Sequence, residues 1–162
     1  MKLSHRLMLI ACLALPFAAC KKEEAPVETV KAPLTAPTTD DRQAWQAYLS
    51  DVVTRNMEGI QNQPFVYMMP SEALPDFADQ YDRLLEKAKM DVARGIIAGN
   101  LLAYGGHSSA KVGDLVVESF NGVEPNSMKG VKVLFIGQAA DNERVKAAVT
   151  PAGVDYVFVE AK

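Results

Sequence analysis

The last third of the chain, from Lys129 to Glu160, constrains the fold most. Val131 to Ile136 is a short apolar run rich in β-branched residues, Asp141 to Val149 has the apolar spacing of a helix, and Tyr156 to Val159 is a second apolar run. Strand, helix and strand in that order make a βαβ unit, whose strands lie parallel and whose crossover is right-handed.

The segments upstream repeat the same rhythm. Thr38-Thr39-Asp40-Asp41 predicts a helix start, with Thr38 as N-cap and Asp41 three residues on. Trp45, Tyr48, Leu49, Val52, Val53, Met57 and Ile60 then recur at helical spacing. That stripe reads as a face packed on the chain's own sheet rather than as a membrane or partner surface. Phe65 to Met69, closed by Pro70, predicts a buried parallel strand. Ser71 or Leu74 opens a long helix with Pro75 near its first turn, Gly95 at C′ and an inward stripe of Phe77, Tyr81, Leu84, Leu85, Ala88 and Val92. Glu72, Asp76, Asp79 and Asp82 sit early in it, and Arg83, Lys87, Lys89 and Arg94 late. Matching to the helix dipole accounts for that sorting without a cation site. Leu101 to Tyr104 makes a second strand, Ser108 or Ser109 caps a helix that buries Val112, Leu115, Val116 and Phe120, and Asn121 to Lys129 is a turn-rich loop. Asp141 is the expected N-cap of the last helix, and Gly153 lies beyond its end. The sum is an α/β fold: a mainly parallel four-stranded sheet covered by helices on both faces, three-layered and Rossmann-like, with an extra N-terminal helix, all in one domain over 41–162.

The first twenty residues carry a different message. Lys2 and Arg6 give a basic start, Leu7 to Leu15 an apolar core too short to cross a bilayer, and Phe17-Ala18-Ala19-Cys20 small residues before a cysteine. This is a secretory signal over 1–19. The FAAC sequence resembles the lipobox of bacterial lipoproteins, with Phe17 where leucine is usual. The resemblance implies cleavage before Cys20, a diacylglycerol on its sulfur and a third acyl chain on its new amino group. Lys21 in place of aspartate after the cysteine implies the periplasmic face of the outer membrane. Residues 20–40, with Pro26, Pro33 and Pro37 among charged and small residues, read as a tether, on the order of 60 Å long if extended at ~3.1 Å per residue.

Cys12, the other cysteine, leaves with the signal, so the mature chain has no disulfide or thiolate site and must rely on a packed core. Removing Lys2 and Arg6 leaves 15 basic residues against 20 acidic ones, a formal charge of 15 − 20 = −5. That balance disfavours nucleic acid and suits a basic protein partner.

In open parallel sheets ligands sit beyond the carboxyl ends of the strands. Three loops occupy that edge here: Pro70-Ser71-Glu72, Gly105 to Lys111, and Gly137 to Asp141. In the second, Gly105 and Gly106 permit close backbone approach, and His107, Ser108, Ser109 and Lys111 could hold a phosphate or carboxylate at a helix start. It matches neither GxxxxGK[ST] nor GxGxxG, and a tight turn with a serine cap explains it equally. His107, the only imidazole of the mature chain, is poor stock for a metal site even with Met68 and Met69, which fit better as core filler. Ser108 and Ser109 are too close in sequence to His107 to face it as nucleophile and base, and no GxSxG elbow is present. The expectation is therefore a protein without cofactor, metal or catalytic residue, acting by contact with another protein and held to the membrane through lipid on Cys20. An immunity or inhibitor lipoprotein that masks a basic antibacterial effector is the sharper form. A small-anion binder or hydrolase at the Gly105 to Lys111 loop, and an envelope scaffold, are the alternatives.

Overall fold

Four parallel strands lie side by side in the order in which the chain makes them: β1 (Phe65–Met68), β2 (Leu101–Gly105), β3 (Lys132–Gly137) and β4 (Asp155–Glu160). The computed structural model describes residues 32–162. Helix α1 (Arg42–Arg55) precedes the sheet, and α2 (Phe77–Ala93), α3 (Ser109–Ser119) and α4 (Ala139–Val149) make the crossovers, the last followed by a 3₁₀ turn at Thr150–Ala152.

Because the strand order never reverses, right-handed crossovers send every connecting helix to the same face. Strand residues alternate between faces, and the two cores follow that period. Tyr67, Leu102, Tyr104, Val133 and Phe135 point to α2, α3 and α4, against Ala88, Val92, Val112, Leu115, Val116, Val145 and Val149. Their neighbours Leu101, Ala103, Leu134 and Ile136 point the other way, to Trp45, Tyr48, Leu49, Val52 and Val53 of α1. The result is the expected three-layered, Rossmann-like α/β arrangement, with three helices on one face and one on the other.

Helix α1 starts later than the capping-box reading places it. Asp41, not Thr38, is the N-cap, accepting a 2.7 Å hydrogen bond from the Ala44 amide. It ends at Arg55, yet Met57 and Ile60 still pack on the same core from the turn that follows. Lys132 at the start of β3 closes the far end, its ammonium donating to the Asn56 and Glu58 carbonyls at 2.9 Å. Ahead of α1 the chain runs as a strap: Leu34 and Ala36 pack on the same core as Val157 and Val159, the Leu34 amide donates to Asp51, and the Ala36 amide donates to the Lys162 carbonyl. Among the described residues both cores lie between Leu34 and Ala161, and residues 32–162 form one compact unit that contains them.

Helix α2 starts at Phe77, after Pro75, and only Ala88 and Val92 of its inward stripe are fully buried. Its last turn carries no base, but it does carry Asp91, at the end of the helix dipole that disfavours a carboxylate. Three donors hold it there: the Tyr67 hydroxyl at 2.9 Å, Lys87 at 2.6 Å and Arg94 at 3.4 Å. Burial pushes the Asp91 carboxyl up, but the hydrogen bonds from Lys87 and Tyr67 and the charges of Lys87 and Arg94 outweigh it, and it sits below the ordinary aspartate range. A carboxyl depressed by folding adds stability that is complete above its unfolded pKa of about 3.9 and is lost as pH falls through the lower folded value. Asp91→Asn should therefore be less stable than the parent at pH 7 and closer to it at pH 2.5. Urea melts at the two pH values check this, and an equal gap at both would dissociate the acid sensitivity from Asp91.

Candidate functional site

The Gly105 to Lys111 loop leaves β2 for α3, between the parallel loops of β1 and β3. With no reversal of strand order, those loops bend the same way and close on one another instead of diverging around a crevice. Gly105 and Gly106 are needed for close packing: a Cβ on Gly105 would lie 2.5 Å from Leu49 of α1, and one on Gly106, at φ +150°, would lie 2.6 Å from Met69 Cβ. Ser108 occupies the N-cap position of α3 without a side-chain cap bond. The Ser109 hydroxyl donates to Asp141 at 2.6 Å and accepts from the Gln138 amide at 2.8 Å. Asp141, expected to cap α4, lies inside that helix, with Gln138 at the cap. Its other oxygen accepts from Arg144, which also binds Asp114 at 2.7 Å and the Ala110 carbonyl. Ser109, Asp141, Arg144 and Asp114 thus lock the starts of α3 and α4 together. Lys111 leans over the Tyr81 ring, 6.0 Å from its centroid, and pairs loosely with Asp114 at 4.0 Å. Of the six loop residues singled out from sequence, His107 is the one whose side chain lines the principal cleft of the described residues.

That cleft opens where the layers part. At β1 the chain sends one element to each face: α1 comes down the second face, while the β1–α2 loop and α2 cross to the first. Between them is an opening of about 800 Å³ at the carboxyl end of β1, within the range of ligand sites. Its floor is Met68, Met69 and the edge of Trp45, and its far wall is Leu84 of α2. The His107 ring stands edge-on to Trp45, centroids 6.3 Å apart, and the Trp45 indole N–H is held by the Thr39 carbonyl at 2.8 Å. Asp40 and Ser71 bridge the two sides with a hydrogen bond donated by the serine hydroxyl. That bond, a hydrogen bond from the backbone and the nearby His107 ring outweigh desolvation and hold the Asp40 carboxyl below its ordinary range. Serine, histidine and aspartate are neighbours here, but the serine bonds the carboxylate directly instead of the imidazole. Among the described residues no three His, Cys, Asp or Glu side chains are placed to hold a metal ion.

No family model, curated protein or solved structure matches the chain.

A second concavity continues from the cleft along β1, sharing Arg42 and Met68 with it. It is a groove of about 490 Å³ on the face that α1 covers, walled by Leu49, Val53 and Met57 on one side and Pro64 and Val66 on the other. Val66 is 45% exposed, although its strand neighbour Tyr67 is fully buried. Sequence reading placed the Pro70-Ser71-Glu72 loop at the carboxyl ends of the strands, but gave Trp45 to the buried stripe of the first helix and Arg83 to the dipole pattern of the second, and named neither Arg42 nor the groove. Both depend on which face α1 covers and on β1 standing at the sheet edge, and neither is encoded in local periodicity.

Proposed function

We propose that the protein is a lipid-anchored binding protein of the bacterial envelope that works by contact with another protein, engaged along the β1 edge. The observation carrying this is the uneven covering of the second sheet face. On the β4 side the chain's own strap joins the core, Leu34 and Ala36 packing on the same buried cluster as Val157 and Val159 and the Ala36 amide donating to the Lys162 carbonyl just past β4. Over β1 nothing equivalent is present among the described residues, leaving Val66 and a groove beside an edge strand whose outer backbone groups pair with no other described strand. An extended segment of a partner adds to such an edge by main-chain hydrogen bonds, with an apolar side chain seated in the groove. The mature formal charge of −5 favours a basic partner, and an immunity or inhibitor role against a basic antibacterial effector is the specific form of this reading. Cys20 supplies the anchor and the outer membrane the location; Cys20, the signal over 1–19 and the first part of the tether lie outside the described residues.

Photo-crosslinking from position 66 tests the reading in living cells. A discrete crosslinked species is expected from position 66 and not from Ala47, which is exposed on the outer side of α1. Val66→Asp should weaken capture of that partner at least tenfold, while costing only about 1 kcal/mol of stability, the difference in strand propensity at a half-exposed edge position. Crosslinks as frequent from Ala47, or capture indifferent to Val66→Asp, would sink it.

A further inference from the structure

We infer that the cleft at the carboxyl end of β1 binds an amphiphilic anion: a phosphate or carboxylate head on an unbranched apolar body. The inference rests on the cleft alone and stands or falls independently of protein contact along β1.

The charged groups of the cleft are not equivalent. Its two carboxylates are already engaged, Asp40 by the Ser71 hydroxyl and Asp76 by Gln80 at 2.9 Å. Lys87 is committed to Asp91 at 2.6 Å. Arg42, at the first turn of α1, and Arg83, on α2, form no hydrogen bond or ion pair with any described residue, and they stand on opposite walls. A protein with a mature formal charge of −5 thus keeps two uncommitted guanidinium groups, with His107 between the loops, at the mouth of one opening. Guanidinium groups grip phosphate or carboxylate with paired, charge-assisted hydrogen bonds, which fixes the head of the ligand. Below them the walls are Met68, Met69, Leu84 and Trp45, with no uncommitted polar side chain, and methionine surfaces adapt to flexible alkyl chains. A free inorganic anion would leave that apolar floor unused, and a neutral alkyl chain would leave both arginines unanswered.

Trp45 is the only tryptophan in the chain and lines the cleft, so its fluorescence reports occupancy directly. Residues 32–162 would be titrated with decyl phosphate below its micellar concentration, with decanol and inorganic phosphate as partial ligands, and calorimetry would count sites independently. The expected result is saturable, one-to-one binding of decyl phosphate, at least tenfold tighter than either partial ligand. The double variant Arg42→Gln, Arg83→Gln should lose at least tenfold in affinity with an unchanged melting temperature, since both side chains are exposed. Sedimentation with phosphatidylglycerol vesicles separates the sources of such a ligand: sedimentation abolished in the double variant assigns the head to a bilayer lipid, and binding of decyl phosphate without sedimentation assigns a free amphiphile. Absence of saturable decyl phosphate binding, decanol binding as tightly, or a double variant that binds like the parent would overturn the inference.

Discussion

Replacing Phe135 by alanine is expected to remove about 3–5 kcal/mol from the stability of the domain, a large share of the ~5–15 kcal/mol that domains of this kind possess. Phe135 sits on β3, an inner strand, and is fully buried. Its ring stacks on Phe158 of the neighbouring strand, centroids 5.9 Å apart and planes 24° off parallel, and it covers Gly137, whose missing side chain makes room for it: a Cβ there would stand 2.5 Å from the ring. Truncation loses both the transfer free energy of the ring and the contacts of the walls around it, which strands paired on both sides cannot close. For a unit of this size the melting temperature should fall by roughly 10–20 °C, at about 3–4 °C for each kcal/mol. Urea unfolding of residues 32–162 measures the loss directly. A change below about 1 kcal/mol would mean that β3 is not the centre of the core.

Once its signal is cleaved, the Cys20→Ser protein should be soluble in the periplasm, where the parent is membrane-bound. The lipoprotein reading gives the mature chain three acyl chains at one residue, and each buried methylene contributes ~0.8 kcal/mol, so that two chains already anchor stably. Loss of all of them leaves a domain with no apolar span: among the described residues no helix is long and apolar enough to cross a membrane. Labelling with a radioactive fatty acid, followed by separation of membrane and soluble fractions, gives both readouts in one experiment. A serine variant that is processed and yet remains with the membranes would show that attachment does not depend on Cys20.

The sheet was legible in the sequence because its strands are unbroken apolar runs. Phe65–Met68, Leu101–Gly105, Lys132–Gly137 and Asp155–Glu160 each lie within a residue or so of the runs that announce them. Helix starts were less legible, since several Ser, Thr and Asp residues compete for each cap. Asp41 displaces Thr38 as the cap of α1, and Asp141 lies inside α4, where bonds to Ser109 and Arg144 engage it. Those same bonds explain the difference at the Gly105 to Lys111 loop. From sequence Ser109 and Lys111 are free polar groups beside a helix start, but Asp141 from the next loop and Tyr81 from the preceding helix reach them first. Such partners are set by strand order, which no local pattern carries. The cleft formed instead where that order places β1 at the edge and α1 alone on its face, next to the Ser71 loop that sequence had put on the same side.

The strap has a mechanical meaning. The chain reaches the folded body beside β4, clipped to Lys162 and to Asp51 of α1, while the open edge is β1, three strand spacings or about 14 Å across the sheet. A pull on residue 32 is therefore met first by the Leu34 and Ala36 contacts and then, through Asp51, by α1, the helix that also walls the β1 groove. Traction on the strap and capture at the groove thus meet in a single helix.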